Sequence, residues 1–471
     1  MQNSNNKLIY LVFIFCSMLF IYLLSMLQPT FDDWTYITKP NYDTEFYKYI
    51  VPIGTYWRPF DGLFGYLLSI NHKMFPFLNH TIIGLGHIAS SLLIYIISKH
   101  LDFKKQASLI ASIFFFISPA MLGTVLGVDS LNQIYSQLWG LVALFTYIKY
   151  NYNNRKNYYL LFSLLATLSK ENGIMWFIII PLIAFTFNLS DKKRLKKELF
   201  LSLLFVILYF IIRLILSNYT PEINSEYIEG GVIKYIKNFG KFATLSFFSI
   251  DFVSIFYKPY RNVFILILTA VLSLPLYISI LFPNIKRINN KQGWGIIIAI
   301  LLTALPHLLT LFSAMHSYAA LGMISLLVAY IIDKNNTEKR ITTYCFILYV
   351  LSAIIVDTRH YIASYKSGII GVEMVNETIK QTHKPTVNVY CIDIDKDEKK
   401  YSSFCVIPHE AFGWGYSIIS KTGGEWPKTI SNKEIKEKDK YILPKLINKK
   451  IKEGYDHIWI VDGKHVKVIE K

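Results

Sequence analysis

The chain has 471 residues, is 53% hydrophobic and 16% aromatic, and carries only 17% charged residues, a composition too apolar for a water-soluble enzyme of this length. Its net charge of +17 would suit a nucleic-acid partner if it were gathered on one surface, but it is dispersed through short gaps between apolar runs, the pattern that membrane insertion produces. An all-α polytopic membrane protein is predicted, and nucleic acid is excluded as a partner.

Apolar runs suited to spanning helices lie at 8–29, 77–98, 107–127, 131–148, 158–169, 173–189, 199–217, 262–282, 293–313, 317–332 and 341–356, eleven in all, with the fifth and sixth short. The first has no small-residue cleavage site and exceeds a signal-peptide core in length, so it reads as a retained helix. With the N-terminus in the cytoplasm, the gaps 99–105, 149–157, 190–198, 283–292 and 333–340 are cytoplasmic. They are strongly basic, whereas the opposite gaps balance acids against bases, as the positive-inside rule requires. The segment 239–256 is apolar enough to be mistaken for a span, but Lys241 and Asp251 interrupt it, and an interfacial or re-entrant helix preserves the charge rule.

This topology gives a membrane domain over 1–356, with large outer loops at 31–76 and 217–261, and an extracytoplasmic tail over 357–471. The tail reads as a small soluble α/β domain: strands at 386–392 and 457–461, a hairpin turn at Asp462-Gly463, and a helix over 441–453. Its stretch His409-Glu410-Ala411-Phe412-Gly413-Trp414-Gly415-Tyr416 suits either a sugar-stacking lid loop or a tight buried turn. Cys16 and Cys345 lie in apolar runs as packing residues, while Cys391 and Cys405 in the tail are either a disulfide or two free thiols. There is no repeat, no phosphate-binding glycine loop, and no CxxC or HExxH spacing.

The outer ends of the runs collect a set of polar residues: Asp32 and Asp33, Arg58, His80 and His87, Asp129 with Asn132 and Gln133, Lys170 and Glu171, Arg213, His307, His316 and Arg359. Ionisable groups at membrane depth are costly and face a cavity or one another, so their gathering on one side predicts a cavity opening outward. Displacement at a sugar carbon that bears a lipid phosphate needs such a set. A carboxylate, Asp32 or Asp33, takes the acceptor proton, and Arg58, Lys170 and Arg213 hold the phosphate leaving group. Trp57, His80, Asp129, Glu171, His316 and Arg359 are the candidate substrate contacts. Each has a plainer reading: the acid pair as a helix terminator, His80 and His87 as interhelical hydrogen-bonding groups on one helix face, Asp129 as a helix cap, Lys170-Glu171 as a local ion pair, and Tyr56-Trp57 as an aromatic belt. Asp33 and Asp129 could also approach across a water, which leaves a divalent metal open.

The order Phe31-Asp32-Asp33, Tyr56-Trp57-Arg58-Pro59-Phe60, His80 and His87, Ile117-Ser118-Pro119 and Leu168-Ser169-Lys170-Glu171-Asn172-Gly173 resembles the pattern of the transmembrane and tetratricopeptide-repeat O-mannosyltransferases and their bacterial relatives, within the GT-C class that also holds protein O-mannosyltransferases and aminoarabinose transferases. The resemblance covers roughly residues 8–360. It implies a polyprenyl-phosphate sugar donor, inverting transfer without a nucleotide sugar, no obligatory cofactor or metal, a catalytic acid at Asp32-Asp33, and Lys170 near the donor phosphate. The chain departs from the pattern at Asn132 and Gln133, where an arginine and a glutamate are usual, and at Met315-His316-Ser317-Tyr318, where an arginine-tyrosine turn is usual. No tetratricopeptide repeats follow.

The expectation is a multi-pass enzyme of a bacterial cytoplasmic membrane, carrying a sugar from a polyprenyl phosphate to a hydroxyl of a glycan, glycolipid or protein on the outer face. A flippase of lipid-linked sugars and a non-catalytic envelope assembly protein are the alternatives.

Overall fold

The computed structural model describes residues 2–30, 32–42, 50–51, 57–74, 77–151, 157–217, 231–251, 261–308, 313–334, 339–384, 388–395, 415–422, 429–463 and 465–471. Phe31, Tyr56, Cys405 and residues 409–414 of the aromatic-glycine stretch lie outside them.

All eleven apolar runs are largely helical. Helix α1 (Gln2–Ser25) is followed by two helices, α2 (Asp33–Tyr42) and α3 (Pro59–Met74), in the segment expected to be a loop, and then by α4 (Phe77–His100). The third run is broken: α5 (Lys105–Ile117) ends at Ser118, whose extended backbone is what the following proline demands, and a short 3-10 turn and α6 (Leu122–Val125) continue at a bend of 43°. Next come α7 (Leu131–Lys149), α8 (Tyr158–Ser169), a 3-10 turn over Glu171–Met175, α9 (Trp176–Thr186), α10 (Lys192–Ser217) and α11 (Val232–Phe247). They are followed by α12 (Val263–Leu276), α13 (Lys291–Leu308), α14 (Tyr318–Asp333) and α15 (Lys339–Gln381).

Among the described residues, six helices are long and apolar enough to cross a membrane, or seven with the bent pair 105–125. The other four expected spans are also helical: α1, apolar over the described stretch Leu11–Ser25, α8, the 171–186 segment, and α7, which carries the buried polar residues Asn132, Gln133, Ser136 and Gln137. The protein is thus a multi-pass membrane protein.

Helix α14 forms the centre, with every residue from Tyr318 to Asp333 buried. Around it the helices meet through small residues. A Cβ on Gly140 of α7 would lie 1.9 Å from Cε2 of the buried Trp176 of α9, and one on Gly123 would lie 2.6 Å from the Met315 nitrogen. His87 belongs to this framework: its Nδ1 is 3.0 Å from the Tyr318 hydroxyl and its Nε2 3.0 Å from the Phe116 carbonyl, so one neutral tautomer satisfies both atoms.

The tail contains a four-stranded sheet in the order β2-β1-β3-β4, formed by β1 (Asn388–Asp395), β2 (Thr429–Lys436), β3 (His457–Asp462) and β4 (His465–Glu470). β1 pairs in parallel with β2 and β3, and the β3–β4 hairpin turns at Gly463, whose φ of 66° suits the absence of a Cβ. Alternation along β1 sends Val389 and Cys391 to one face and Tyr390, Ile392 and Ile394 to the other. The first face packs on Met374 and Val375 of α15 and on Ile418 of α16 (Tyr416–Thr422); the second packs on Leu443, Leu446, Ile447 and Ile451, along the inner side of α17 (Leu443–Lys452). Cys391 is a buried free thiol.

The boundary expected at 356/357 falls inside α15, which runs without a break from the membrane domain to the sheet. At its end, Gln381 Nε2 donates to the Val466 carbonyl (2.7 Å) and Gln381 Oε1 accepts the Val468 N–H (3.0 Å), which occupies the edge of β4.

Replacing Gly140 with valine drives α7 from the Trp176 indole. A cost of about 1–3 kcal/mol is expected for such overpacking, read as a lower thermal midpoint of the detergent-solubilised protein. An unchanged midpoint would refute the described α7–α9 contact.

Candidate active site

The site is built where α2, α3, the turn before α7 and the turn after α8 meet. Asp33 opens α2 and is buried. Its Oδ2 accepts the Thr30 N–H (2.9 Å), which closes its own turn, and its Oδ1 accepts the Asp129 N–H (2.8 Å), which ties α2 to the turn before α7. Gly127 makes room for this arrangement, because a Cβ there would stand 2.6 Å from Asp129 Oδ1. Burial first, and the Asp129 charge second, push the Asp33 carboxyl well above the usual range despite its N–H donors. Asp129 is also pushed up, by burial and then by Asp32, and its Oδ1 accepts from the Ser130 hydroxyl (3.1 Å). Asp32 is half-buried beside it.

A further carboxylate was not anticipated. Asp61 lies in the first turn of α3, two residues after Pro59, and is buried. Its Oδ2 accepts from the Tyr36 hydroxyl (2.5 Å) and its Oδ1 from the Asn132 amide (3.2 Å). Burial raises its pKa to about 6, while Arg58, the two hydrogen bonds and Lys170 hold it from rising further. The available signal was Pro59 at the first helical position with an acid in the turn it starts, a helix N-terminus that favours negative charge. Asn132, one of the departures from the family pattern, donates also to the Tyr36 hydroxyl (3.2 Å) and the Asp129 carbonyl (3.3 Å), so it serves both acids.

The cations face these acids. Arg58 Nε donates to Glu171 Oε2 (2.7 Å) across the gap between α3 and the turn after α8. Lys170 is buried, with Nζ 4.0 Å from the Met315 sulfur; burial, then the Arg58 charge, lower its pKa to about 8 against the pull of Glu171, Asp61 and Asp129. Asn172 Nδ2 is 3.0 Å from His307 Nε2, and the His307 ring stacks on His316 at 4.4 Å between centroids. The Ser313 N–H donates to His316 Nδ1 (3.2 Å), so a neutral His316 carries its proton on Nε2. Lys-Glu-Asn at 170–172 thus sends three consecutive side chains to three partners.

Four buried oxygens in this region, Asn132 Oδ1, Gln133 Oε1, Glu171 Oε1 and Asn172 Oδ1, accept no hydrogen bond from the described residues. Buried acceptors without donors cost free energy, so their gathering marks a place suited to a ligand rich in hydroxyl donors.

The remaining candidates fall at the margins. Trp57 is buried, stacks on Tyr209 of α10 at 5.1 Å and donates from Nε1 to the Ile50 carbonyl (2.9 Å), which makes it a support for Arg58 beside it. Arg213 reaches the same Tyr209. His80 is buried in the first turn of α4, next to Asn79, whose amide holds the Leu68 carbonyl. Arg359, on α15, forms an ion pair with the fully buried Asp251. Among the described residues no group of three or more His, Cys, Asp or Glu side chains is placed to hold a metal ion.

No family model and no curated protein matches the chain. Among solved structures, ArnT from Cupriavidus metallidurans in the apo state is similar with a TM-score of 0.55 at 8% identity, over 98% of this chain and 98% of that one. ArnT bound to undecaprenyl phosphate gives 0.50 at 8% identity, over 98% and 97%. The archaeal oligosaccharyltransferase AglB from Archaeoglobus fulgidus, in complex with an inhibitory peptide and a dolichol-phosphate, gives 0.44 at 14% identity, over 90% of this chain and 65% of that one. Along nearly its whole length the chain therefore has the fold of the aminoarabinose transferase ArnT, the GT-C fold that its motifs resemble.

Proposed function

We propose that the protein is a membrane glycosyltransferase that moves a sugar from a polyprenyl-phosphate carrier to an acceptor hydroxyl, with its site and C-terminal domain on the outer face of a bacterial cytoplasmic membrane. The observation that carries this reading is the meeting of Arg58 and Lys170 with Asp33, Asp61 and Asp129 in a buried cluster, beside oxygens that lack donors. The ArnT fold supports it, and ArnT itself has been seen with undecaprenyl phosphate.

In this mechanism the acceptor oxygen bonds to the anomeric carbon as the bond from that carbon to the phosphate oxygen breaks. The electron pair leaves with the polyprenyl phosphate, and a single displacement inverts the anomeric centre. Lys170 and Arg58 meet the charge that develops on the phosphate, where a buried cation is worth far more than in water. Glu171 fixes the guanidinium plane of Arg58. Asp32 takes the acceptor proton, because it is the half-buried acid of the pair, whereas Asp33 has both oxygens engaged by backbone N–H groups. The oxygens of Asn132, Gln133, Glu171 and Asn172 receive hydroxyls of the sugar or its acceptor, which is a glycan, a glycolipid or a protein.

The two acids separate experimentally. In cells lacking the protein, Asp32→Asn is expected to yield an inserted, stable chain that restores at most about a hundredth of the transfer, the lower bound of a general base's contribution. Asp33→Asn is expected to lower the thermal midpoint as well, since it aims an amide at an N–H donor. Mass spectrometry of envelope glycans and glycolipids reads both, and wild-type profiles from Asp32→Asn would sink the mechanism.

Rate and stability report different groups. Transfer is expected to fall as pH rises through about 8, where Lys170 loses its proton. Asp61 has its folded pKa raised from 3.8, so its contribution to stability is complete below 3.8 and is lost as pH rises through about 6. Melting scans of the wild type and Asp61→Asn between pH 4 and 7 check the sign: the wild type should gain on the variant as pH falls. A constant difference would remove Asp61 from the account.

A further inference from the structure

Helix α11 (Val232–Phe247) has three distinct faces. One packs inward: Phe242, Leu245 and Asn238 are buried, and the Asn238 amide donates to the Leu308 carbonyl (3.1 Å) at the end of α13. The helix rests on the 3-10 turn Ala314–Ser317, which carries His316, and on α13, which carries His307. The second face is apolar and open: Val232 is 71% exposed, Ile233 71%, Ile236 65% and Phe239 48%, and nothing lies within 4 Å of a Cβ built on Gly240. The third is a row of Lys234, Lys237 and Lys241 along its flank, with no acid anywhere on the helix.

An apolar face of this size does not remain in water without a partner. At 16 residues α11 is not among the helices able to span, yet it stands in the chain between two that are, α10 and α12. Apolar stripe, flanking lysines and neighbouring spans together fit a helix lying in the plane of a bilayer interface, its alkyl side chains among the upper acyl groups and its ammonium groups at the headgroup phosphates. We propose that α11 is a docking surface for anionic phospholipid on the leaflet that faces the site. Because the same helix holds the end of α13 and the His316 turn, the lipid surface becomes one wall of the site's surroundings. The proposal rests on the membrane placement of the protein and not on sugar transfer.

The test is photocrosslinking of the full chain in vesicles of phosphatidylcholine with added phosphatidylglycerol. With p-benzoylphenylalanine in place of Ile236, irradiation is expected to give a phospholipid adduct detected by mass spectrometry, and the same residue in place of the exposed Lys445 of α17 gives none. Phosphatidylglycerol should be enriched in the adduct by roughly fivefold over its share of the vesicle, the effect of one lysine near a charged surface. The enrichment should vanish when Lys234→Gln, Lys237→Gln and Lys241→Gln are combined; all three lie off the packed face. No lipid adduct at 236, an adduct to a peptide instead, or a phosphatidylglycerol share equal to that of the vesicle would each overturn the proposal. None of these readouts depends on catalysis, so the failure of this inference and of the transferase reading are told apart.

Discussion

A carboxylate removed from water must find hydrogen-bond donors and positive charge, or it takes up a proton. Asp33 meets that demand with the N–H groups of Thr30 and Asp129, and in doing so ties the segment after α1 to the turn before α7. Asp61 meets it with Tyr36 and Asn132. The four helices that begin or end around these acids are held there by the same bonds that oppose the rise in pKa that burial imposes on them. The positive partners, Arg58 and Lys170, come from separate turns and are steered by Glu171 and by burial. Site and scaffold are therefore one structure: the interactions that position the polar groups also settle how the first three helices meet the bundle.

The balance is not fully neutralised within the protein. Lys170 is held below its ordinary pKa and Asp61 above its own, so both lose interaction free energy in the absence of a ligand. An anionic phosphate beside Lys170 would raise the lysine's affinity for its proton, and hydroxyl donors would satisfy the open oxygens. Substrate binding can thus relieve the conflict that folding leaves in place, the logic by which functional sites remain less than optimal for stability.

How much of this could be read from the chain depends on distance along it. The helices were legible because runs of apolar side chains leave no other way to satisfy the backbone in a membrane. The pairing of Arg58 with Glu171 joins residues 113 apart in sequence, and local pattern could name both residues without saying that they touch. Asp61 and Tyr36 were missed because each looks ordinary alone: a first-turn acid and one of 33 tyrosines. For His87 the plainer expectation, a hydrogen-bonding group between helices, is what its two satisfied ring nitrogens show. The continuation of α15 past 356 was hidden by composition, since Asp357, Arg359 and His360 end the apolar run while leaving helix propensity intact.

That continuous helix constrains how the C-terminal sheet can move and change. A rod of 43 residues enters the sheet's own core through Met374 and Val375, and Thr38 of α2 donates to the Tyr416 carbonyl on the far side of the joint. In a helix, adding or removing a single residue turns everything beyond it by about 100° and shifts it by about 1.5 Å. One such change between 357 and 374 would swing the sheet, together with Met374, Val375 and Gln381 that pack on it, away from α2. Length there is thus as constrained as the residues that pack, because the stretch of α15 before the sheet sets the angle at which the sheet meets α2.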